Sequence, residues 1–155
     1  ISADSVKSGL SDVAWPGRFH FISENPPIII DGAHNVGAAA ALSESMFKMY
    51  RDKQIGLIFG VCSDKDMQGI LGVFKGKCRK MWAVPLKTDR SRKPADICSA
   101  GKDMGYECSE NSLQSAVAEA GQWAKERDGV VCITGSLYLA GETLGLLREG
   151  KLSTD

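Results

Sequence analysis

Neither of the usual glycine signatures for phosphate occurs in this chain. No Gly-x-Gly-x-x-Gly follows an apolar run, and no Gly-x-x-x-x-Gly-Lys-Ser/Thr occurs anywhere. Such loops hold a dinucleotide or triphosphate by aiming backbone amides at its phosphates. A self-sufficient site for either is therefore not expected, and if this chain handles ATP, another domain must cradle the phosphates. Histidine is scarce: with only His20 and His34 present, a zinc site would have to be assembled from unrelated loops, and none is expected. The five cysteines, Cys62, Cys78, Cys98, Cys108 and Cys132, include no Cys-x-x-Cys pair, and their number is odd. Reduced, structural thiols are the expectation. No run approaches the ~20 apolar residues of a membrane span, and no basic-then-apolar leader opens the chain, so a cytoplasmic protein without a membrane partner is expected. Nineteen basic residues balance nineteen acidic ones, so no overall field favours nucleic acid. The first residue is Ile1 rather than Met, which suggests a piece cut from a longer protein.

What is present fits one domain. The 155 residues, 43% hydrophobic and 25% charged, suffice to bury a core without staples. Apolar runs that read as strands alternate with segments of helical periodicity. The strands expected are Phe19 to Ile22, Ile28 to Ile30, Ile55 to Phe59, Lys80 to Val84, Gly105 to Glu107 and Val130 to Ile133. The helices expected are Ala38 to Tyr50, Met67 to Phe74, Pro94 to Met104, Ser112 to Lys125 and Leu137 to Leu147. In the fourth helix Leu113, Ala116, Val117, Ala120, Trp123 and Ala124 share one face, which makes Trp123 a core residue rather than a ligand platform. Repeated β-α-β crossovers predict an α/β, Rossmann-like three-layer domain with a mostly parallel sheet of about six strands. The link from Phe19–Ile22 to Ile28–Ile30 is too short for a parallel crossover, so the first strand should be antiparallel at one edge.

Chemistry in such folds sits beyond the carboxyl ends of the strands. There the sequence places Asp31-Gly32-Ala33-His34-Asn35, directly between the run Ile28-Ile29-Ile30 and a helix start. Three further loops should emerge at the same edge: Gly60 to Asp66, Pro85 to Arg92, and Thr134-Gly135-Ser136. Asn35, Asp66 and Ser136 are also good helix caps, and polar loops are ordinary at a surface. Gly135-Ser136-Leu137 lacks the Gly-x-Ser-x-Gly elbow, which argues against a serine hydrolase built on His34 and Ser136.

Trp15-Pro16-Gly17-Arg18, Asp31-Gly32-Ala33-His34-Asn35, Asp64-Lys65-Asp66 and Thr134-Gly135-Ser136-Leu137-Tyr138-Leu139, in that order, resemble the C-terminal domain of folylpolyglutamate synthases and bifunctional dihydrofolate synthases. These belong to the Mur ligase superfamily, and the resemblance runs from about Val13 to Leu147. One departure is visible: the family continues Asp-Gly-Ala-His-Asn with Pro, and Val36 stands there instead.

The resemblance implies a ligase. ATP phosphorylates a carboxylate of a pteroate or folate, and the amine of L-glutamate attacks the acyl phosphate to give an amide. A central domain of the same chain would supply the phosphate loop, hold Mg2+ and make most pterin contacts. Carried over residue by residue, Arg18 and Asp31 are expected to contact ATP, the guanidinium neutralising phosphate and the carboxylate accepting ribose hydroxyls, with Asn35 beside them. His34 and Ser136 are expected on the glutamate side, His34 orienting a carboxylate. The Asp64-Lys65-Asp66 turn is expected to be structural or to serve interdomain closure. Arg90 and Arg92 could attract a polyglutamate tail, or merely lie in a solvated loop. Two other readings stay open: a peptidoglycan-precursor ligase domain of the same fold, and a non-catalytic module that docks a nucleotide or a protein.

Overall fold

The computed structural model describes Ser2, Ser5 and residues 15–154, so the start of the chain falls largely outside the described residues. Six strands form one sheet in the order β1-β2-β6-β3-β4-β5. They are β1 (His20–Glu24), β2 (Pro27–Ile30), β3 (Ile55–Phe59), β4 (Cys78–Ala83), β5 (Glu107–Glu110) and β6 (Val130–Thr134). β1 pairs antiparallel with β2 at the edge, and every other pairing is parallel. Among the described residues four helices fill the crossovers, α1 (Val36–Met49), α2 (Met67–Phe74), α3 (Pro94–Asp103) and α4 (Leu113–Arg127), and α5 (Leu137–Arg148) follows β6.

The period-two alternation of the strands sorts two cores. Ile29, Leu57, Phe59, Met81 and Cys132 face one side, where Leu42 and Met46 of α1, Ile70 and Phe74 of α2, and Ile97 of α3 cover them. Ile28, Ile30, Ile58, Trp82, Val131 and Ile133 face the other, under Leu113, Val117 and Ala120 of α4 and Leu139 and Leu146 of α5. A central parallel strand buried on both faces must be apolar throughout, and β3 and β6 are buried at every position. Trp123 packs edge-on against Trp82 with ring centroids 5.7 Å apart. Gly56 makes room for the pair, because a Cβ there would lie 2.9 Å from both rings.

Two expectations need correction. β5 spans Glu107–Glu110 rather than Gly105 to Glu107. Gly105 turns the chain at φ +93°, and Tyr106 is drawn into the core, where its hydroxyl donates to the Leu71 carbonyl at 2.6 Å. The thiols are also not all reduced: Cys98 and Cys108 form a disulfide, while Cys62, Cys78 and Cys132 are free and buried. Helix α3 returns directly into β5 and packs on it, bringing the two Cα atoms to 5.3 Å, within the reach of a disulfide.

Candidate functional site

The order β2-β6-β3-β4 sets the carboxyl ends of four parallel strands side by side, and their loops are stitched together by backbone hydrogen bonds. Asp31 N–H donates to the Ile133 carbonyl (2.9 Å), Gly135 N–H to Ala33 (3.0 Å), and Gly60 N–H to Thr134 (3.3 Å). Beyond β3 and β4, Ser63 N–H donates to Arg90 (2.8 Å) and Arg92 N–H to Val61 (2.9 Å). The Arg92 guanidinium adds a bond to the Ser63 carbonyl at 2.8 Å. Gly135 is the pinch point: its φ is +107°, and a Cβ there would lie 2.5 Å from the Gly60 carbonyl oxygen. Only glycine fits both demands.

A first cleft of about 570 Å³ lies between the Asp31 loop and α1, lined by Arg18, Asp31, His34, Asn35, Met49 and Leu137 among others. Asp31 is half-buried, and each of its oxygens already accepts one backbone N–H: Oδ2 from Phe19 at 2.9 Å and Oδ1 from Ala33 at 2.8 Å. Phe19 has φ +43°, a conformation costly for a bulky residue that its bond to Asp31 helps to hold. The preceding Arg18 is thereby set at the mouth of the cleft, exposed, its guanidinium 5.2 Å from the Trp15 ring centroid. Asn35 is the cap of α1, its Oδ1 accepting Ala38 N–H at 2.8 Å. Its amide nitrogen is left as the group able to meet a ligand. Val36, where the resemblance led one to expect Pro, is the first helical residue, and the Asn35 cap forms without a proline ring.

A second cleft of about 450 Å³ is lined by His34, Cys62, Lys65, Arg90, Ser136 and Tyr138, with Leu137. His34 Nδ1 lies 2.9 Å from the Gly32 carbonyl. A carbonyl only accepts, so Nδ1 carries the hydrogen and Nε2 is the nitrogen left for chemistry. Ser136 is almost fully buried and caps α5, its Oγ accepting Tyr138 N–H at 3.1 Å, which leaves the hydroxyl proton free to donate. Lys65 pairs with Asp64 at 3.0 Å, and that hydrogen bond, first among the causes, holds the Asp64 carboxyl below its ordinary range. Asp66 of the same turn is the cap of α2. Arg90 Nη2 donates to the Tyr138 hydroxyl at 3.4 Å, an interaction that raises its already high pKa. No hydrogen bond joins His34 to Ser136 among the described residues, so the pair is not arranged as base and nucleophile.

The five site residues expected from the sequence therefore divide between two clefts. Arg18, Asp31 and Asn35 line the first; Ser136 lines the second; His34 lines both. Leu137, 61% exposed, is the other wall that the clefts share, and it leans on Gly32, where a Cβ would meet its Cδ2 at 2.4 Å. The sequence did not place Lys65 or Tyr138 in a ligand site, and it read Arg90 only as a loop cation that could attract a polyglutamate tail or lie in solvent. The signal available was weak: Lys65 and Tyr138 belong to two separate motifs and Arg90 to neither, and only the pairing of the β3 and β4 loops beside the helix after β6 brings them to one cleft. Among the described residues no three His, Cys, Asp or Glu side chains converge on a point that could hold a metal ion.

The family model for the Mur ligase glutamate ligase domain matches residues 17–137, which include every site residue named except Tyr138. The chain belongs to this family. As a glutamate ligase domain it is similar over 92% of its length, at 28% identity, to the dihydrofolate synthase/folylpolyglutamate synthase of Bacillus subtilis. It covers 33% of that protein, and between 17% and 33% of the first curated relatives it matches. Among solved structures, the Mycobacterium tuberculosis folylpolyglutamate synthase complexed with ADP and AMPPCP superposes with a TM-score of 0.85 at 24% identity, over 94% of this chain and 35% of that one. A bifunctional folylpolyglutamate synthase/dihydrofolate synthase with Mn, AMPPNP and L-glutamate bound gives a TM-score of 0.80 at 25% identity, over 96% of this chain and 35% of that one. The fold of the domain is that of these C-terminal domains, with the mostly parallel six-stranded sheet and one antiparallel pair.

Proposed function

We propose that this glutamate ligase domain is the C-terminal part of an ATP-dependent folate:L-glutamate amide ligase, and that the residue joining its two clefts, His34, marks where the nucleotide side and the amino-acid side of the reaction meet. The observation that carries the reading is that His34 and Leu137 line both clefts. Amide formation from an acyl phosphate needs that arrangement, because the amine must approach a carbon that has just received phosphate from ATP.

In the first cleft Arg18 would neutralise phosphate charge, and Asp31 would accept ribose hydroxyls with the lone pairs its two backbone bonds leave free. In the second, Lys65 and Arg90 would offset the carboxylates of L-glutamate, Ser136 would donate to one of them, and Nε2 of His34 would orient the amino-acid end. The amine then attacks the acyl carbon, phosphate leaves, and an amide forms on dihydropteroate or a folate. ATP would arrive with Mg2+, and the related enzymes bind nucleotide analogues with Mn. The ion supplies charge neutralisation at the phosphates. Its ligands would come mainly from a central domain, since this domain gathers no cluster of hard oxygen donors among its described residues. A cytoplasmic setting, where these charged metabolites occur, completes the reading; no helix of the described residues is long and apolar enough to cross a membrane.

The test is turnover by the full-length protein. ATP- and glutamate-dependent elongation of dihydropteroate or a folate is the expected result, and elongation of a muramyl precursor in its place would overturn the folate assignment.

A further inference from the structure

The second cleft is asymmetric. Its junction with the nucleotide cleft is made by His34 and Leu137, while Lys65, Arg90, Cys62 and Tyr138 line the second cleft only. An amino acid whose amine must reach the phosphorylated carboxylate therefore lies with its α-carbon toward His34 and its side chain toward Arg90 and Lys65. The two cations at that end differ. The charge of Lys65 is already engaged by Asp64 at 3.0 Å. Arg90 has no carboxylate within ion-pair distance among the described residues; its guanidinium rests 5.9 Å from the Tyr138 ring centroid and donates only a long bond to the phenol.

The Arg90 side chain is exposed, while the backbone that carries it is fastened. Its carbonyl accepts Ser63 N–H at 2.8 Å, its own N–H reaches Thr88 Oγ1 at 3.4 Å, and the neighbouring Ser91 pairs with Cys62 in an isolated bridge. Ser91 Oγ accepts the N–H of Leu86 at 2.9 Å and closes the loop on itself. A cation launched from a fastened backbone, set beside an aromatic ring and feeling the charge of Asp64 only from beyond ion-pair contact, is available to a planar anion, and the five-donor guanidinium fork matches a carboxylate.

We propose that Arg90, positioned by Tyr138, is the residue that makes the incoming amino acid a dicarboxylate: it takes the side-chain carboxylate and so separates glutamate from its neutral isostere glutamine. This rests on the ligase reading given above. A site built around a charged hydrogen-bonding partner rejects the analogue that lacks it, because the guanidinium would be left facing an amide that cannot neutralise it. The γ-amide of glutamine has nearly the same shape, so discrimination has to come from charge.

The experiment uses the full-length protein with ATP and a folate acceptor, and compares kcat/KM for L-glutamate and L-glutamine in wild type, Arg90→Gln, Arg90→Lys and Tyr138→Phe. Wild type should favour glutamate strongly. Arg90→Gln should lower kcat/KM for glutamate by about a hundredfold, mostly through KM, with glutamine held or improved and the KM for ATP unchanged. Arg90→Lys should recover part of the preference, since it restores charge without the fork. Tyr138→Phe should narrow the preference in the same direction by a smaller factor. Equal loss for both amino acids in Arg90→Gln, or an unaltered ratio, would overturn the assignment. A wild type that forms no amide with either amino acid would overturn the ligase reading and this proposal with it.

Discussion

Oδ2 of Asp31 accepts the backbone N–H of Phe19 at 2.9 Å, tying the loop after β2 to the residue that enters β1. Phe19 is held at φ +43°, and Arg18 immediately precedes it. The carboxylate proposed to read a ribose is thus also the strut that places the guanidinium proposed to read a phosphate.

Asp31→Ala should consequently do two things at once. It removes the acceptors of two backbone N–H groups in a half-buried loop, a loss of about 1 to 3 kcal/mol in folding stability. In the full-length protein it should also raise the KM for ATP. Asp31→Asn keeps one carbonyl acceptor and should retain more stability than Ala while still weakening nucleotide use. Thermal unfolding together with ATP titration separates the two effects, and wild-type values for both variants in both assays would remove Asp31 from the site.

Gly135→Ala should be far more damaging than its size suggests. A Cβ would lie 2.5 Å from the Gly60 carbonyl oxygen, and φ of +107° is itself strained for alanine. Since this contact joins the loops of β6 and β3, both clefts should distort, and a destabilisation of about 2 kcal/mol or more is expected. Denaturant unfolding gives the answer; a variant as stable as wild type would mean that the junction is softer than its geometry indicates.

Alkaline pH should destabilise the domain. Burial, first among the causes, pushes the thiols of Cys78 and Cys132 and the phenol of Tyr106 up. Each group stays neutral in the folded chain at a pH where the unfolded chain releases its proton. With the folded value raised, the stabilisation is whole below the unfolded value, about 8.5 for a thiol and 10 for a phenol, and declines as pH climbs toward the folded one. The denaturation midpoint should hold from about pH 7 to 8 and then fall steadily above about pH 9. A midpoint unchanged up to about pH 10.5 would show that these groups titrate normally.

The domain alone should bind ATP weakly, with a Kd of high micromolar to millimolar, on the scale of about 4 to 6 kcal/mol. It carries no phosphate-cradling glycine loop, and Arg18 and Asp31 line an open cleft. Hydrolysis by the isolated domain is not expected. Calorimetry showing submicromolar binding would place the nucleotide site here rather than on a partner domain.

Much of the fold was legible because the boundaries carry chemistry. β3 and α2 match their expected limits, since Gly60 ends an apolar run and Asp66 caps the next helix. The antiparallel edge strand followed from a five-residue link that no crossover could use. β5 was misplaced because its four residues, Glu-Cys-Ser-Glu, carry no apolar signature, whereas Tyr106 beside it looked like strand and is instead an anchor for the core. The Cys98–Cys108 bond was hidden for a related reason: it depends on how α3 folds back on β5, which spacing alone does not report. At the site, residues inside one motif, such as Asp31 and His34, could be read together. Lys65 and Arg90 come from different loops, and only the backbone pairing of those loops brings them to one cleft.

The central claim is the division of this sheet edge into a nucleotide cleft and an amino-acid cleft that meet at His34. Steady-state kinetics of the full-length protein, varying glutamate and ATP separately, tests it most directly through His34→Ala and Ser136→Ala. Ser136 lines only the second cleft, so Ser136→Ala should raise the KM for glutamate and leave that for ATP in place; His34→Ala should raise the KM for glutamate more than that for ATP. If instead both variants lose affinity for ATP and keep that for glutamate, the division is reversed and the account fails.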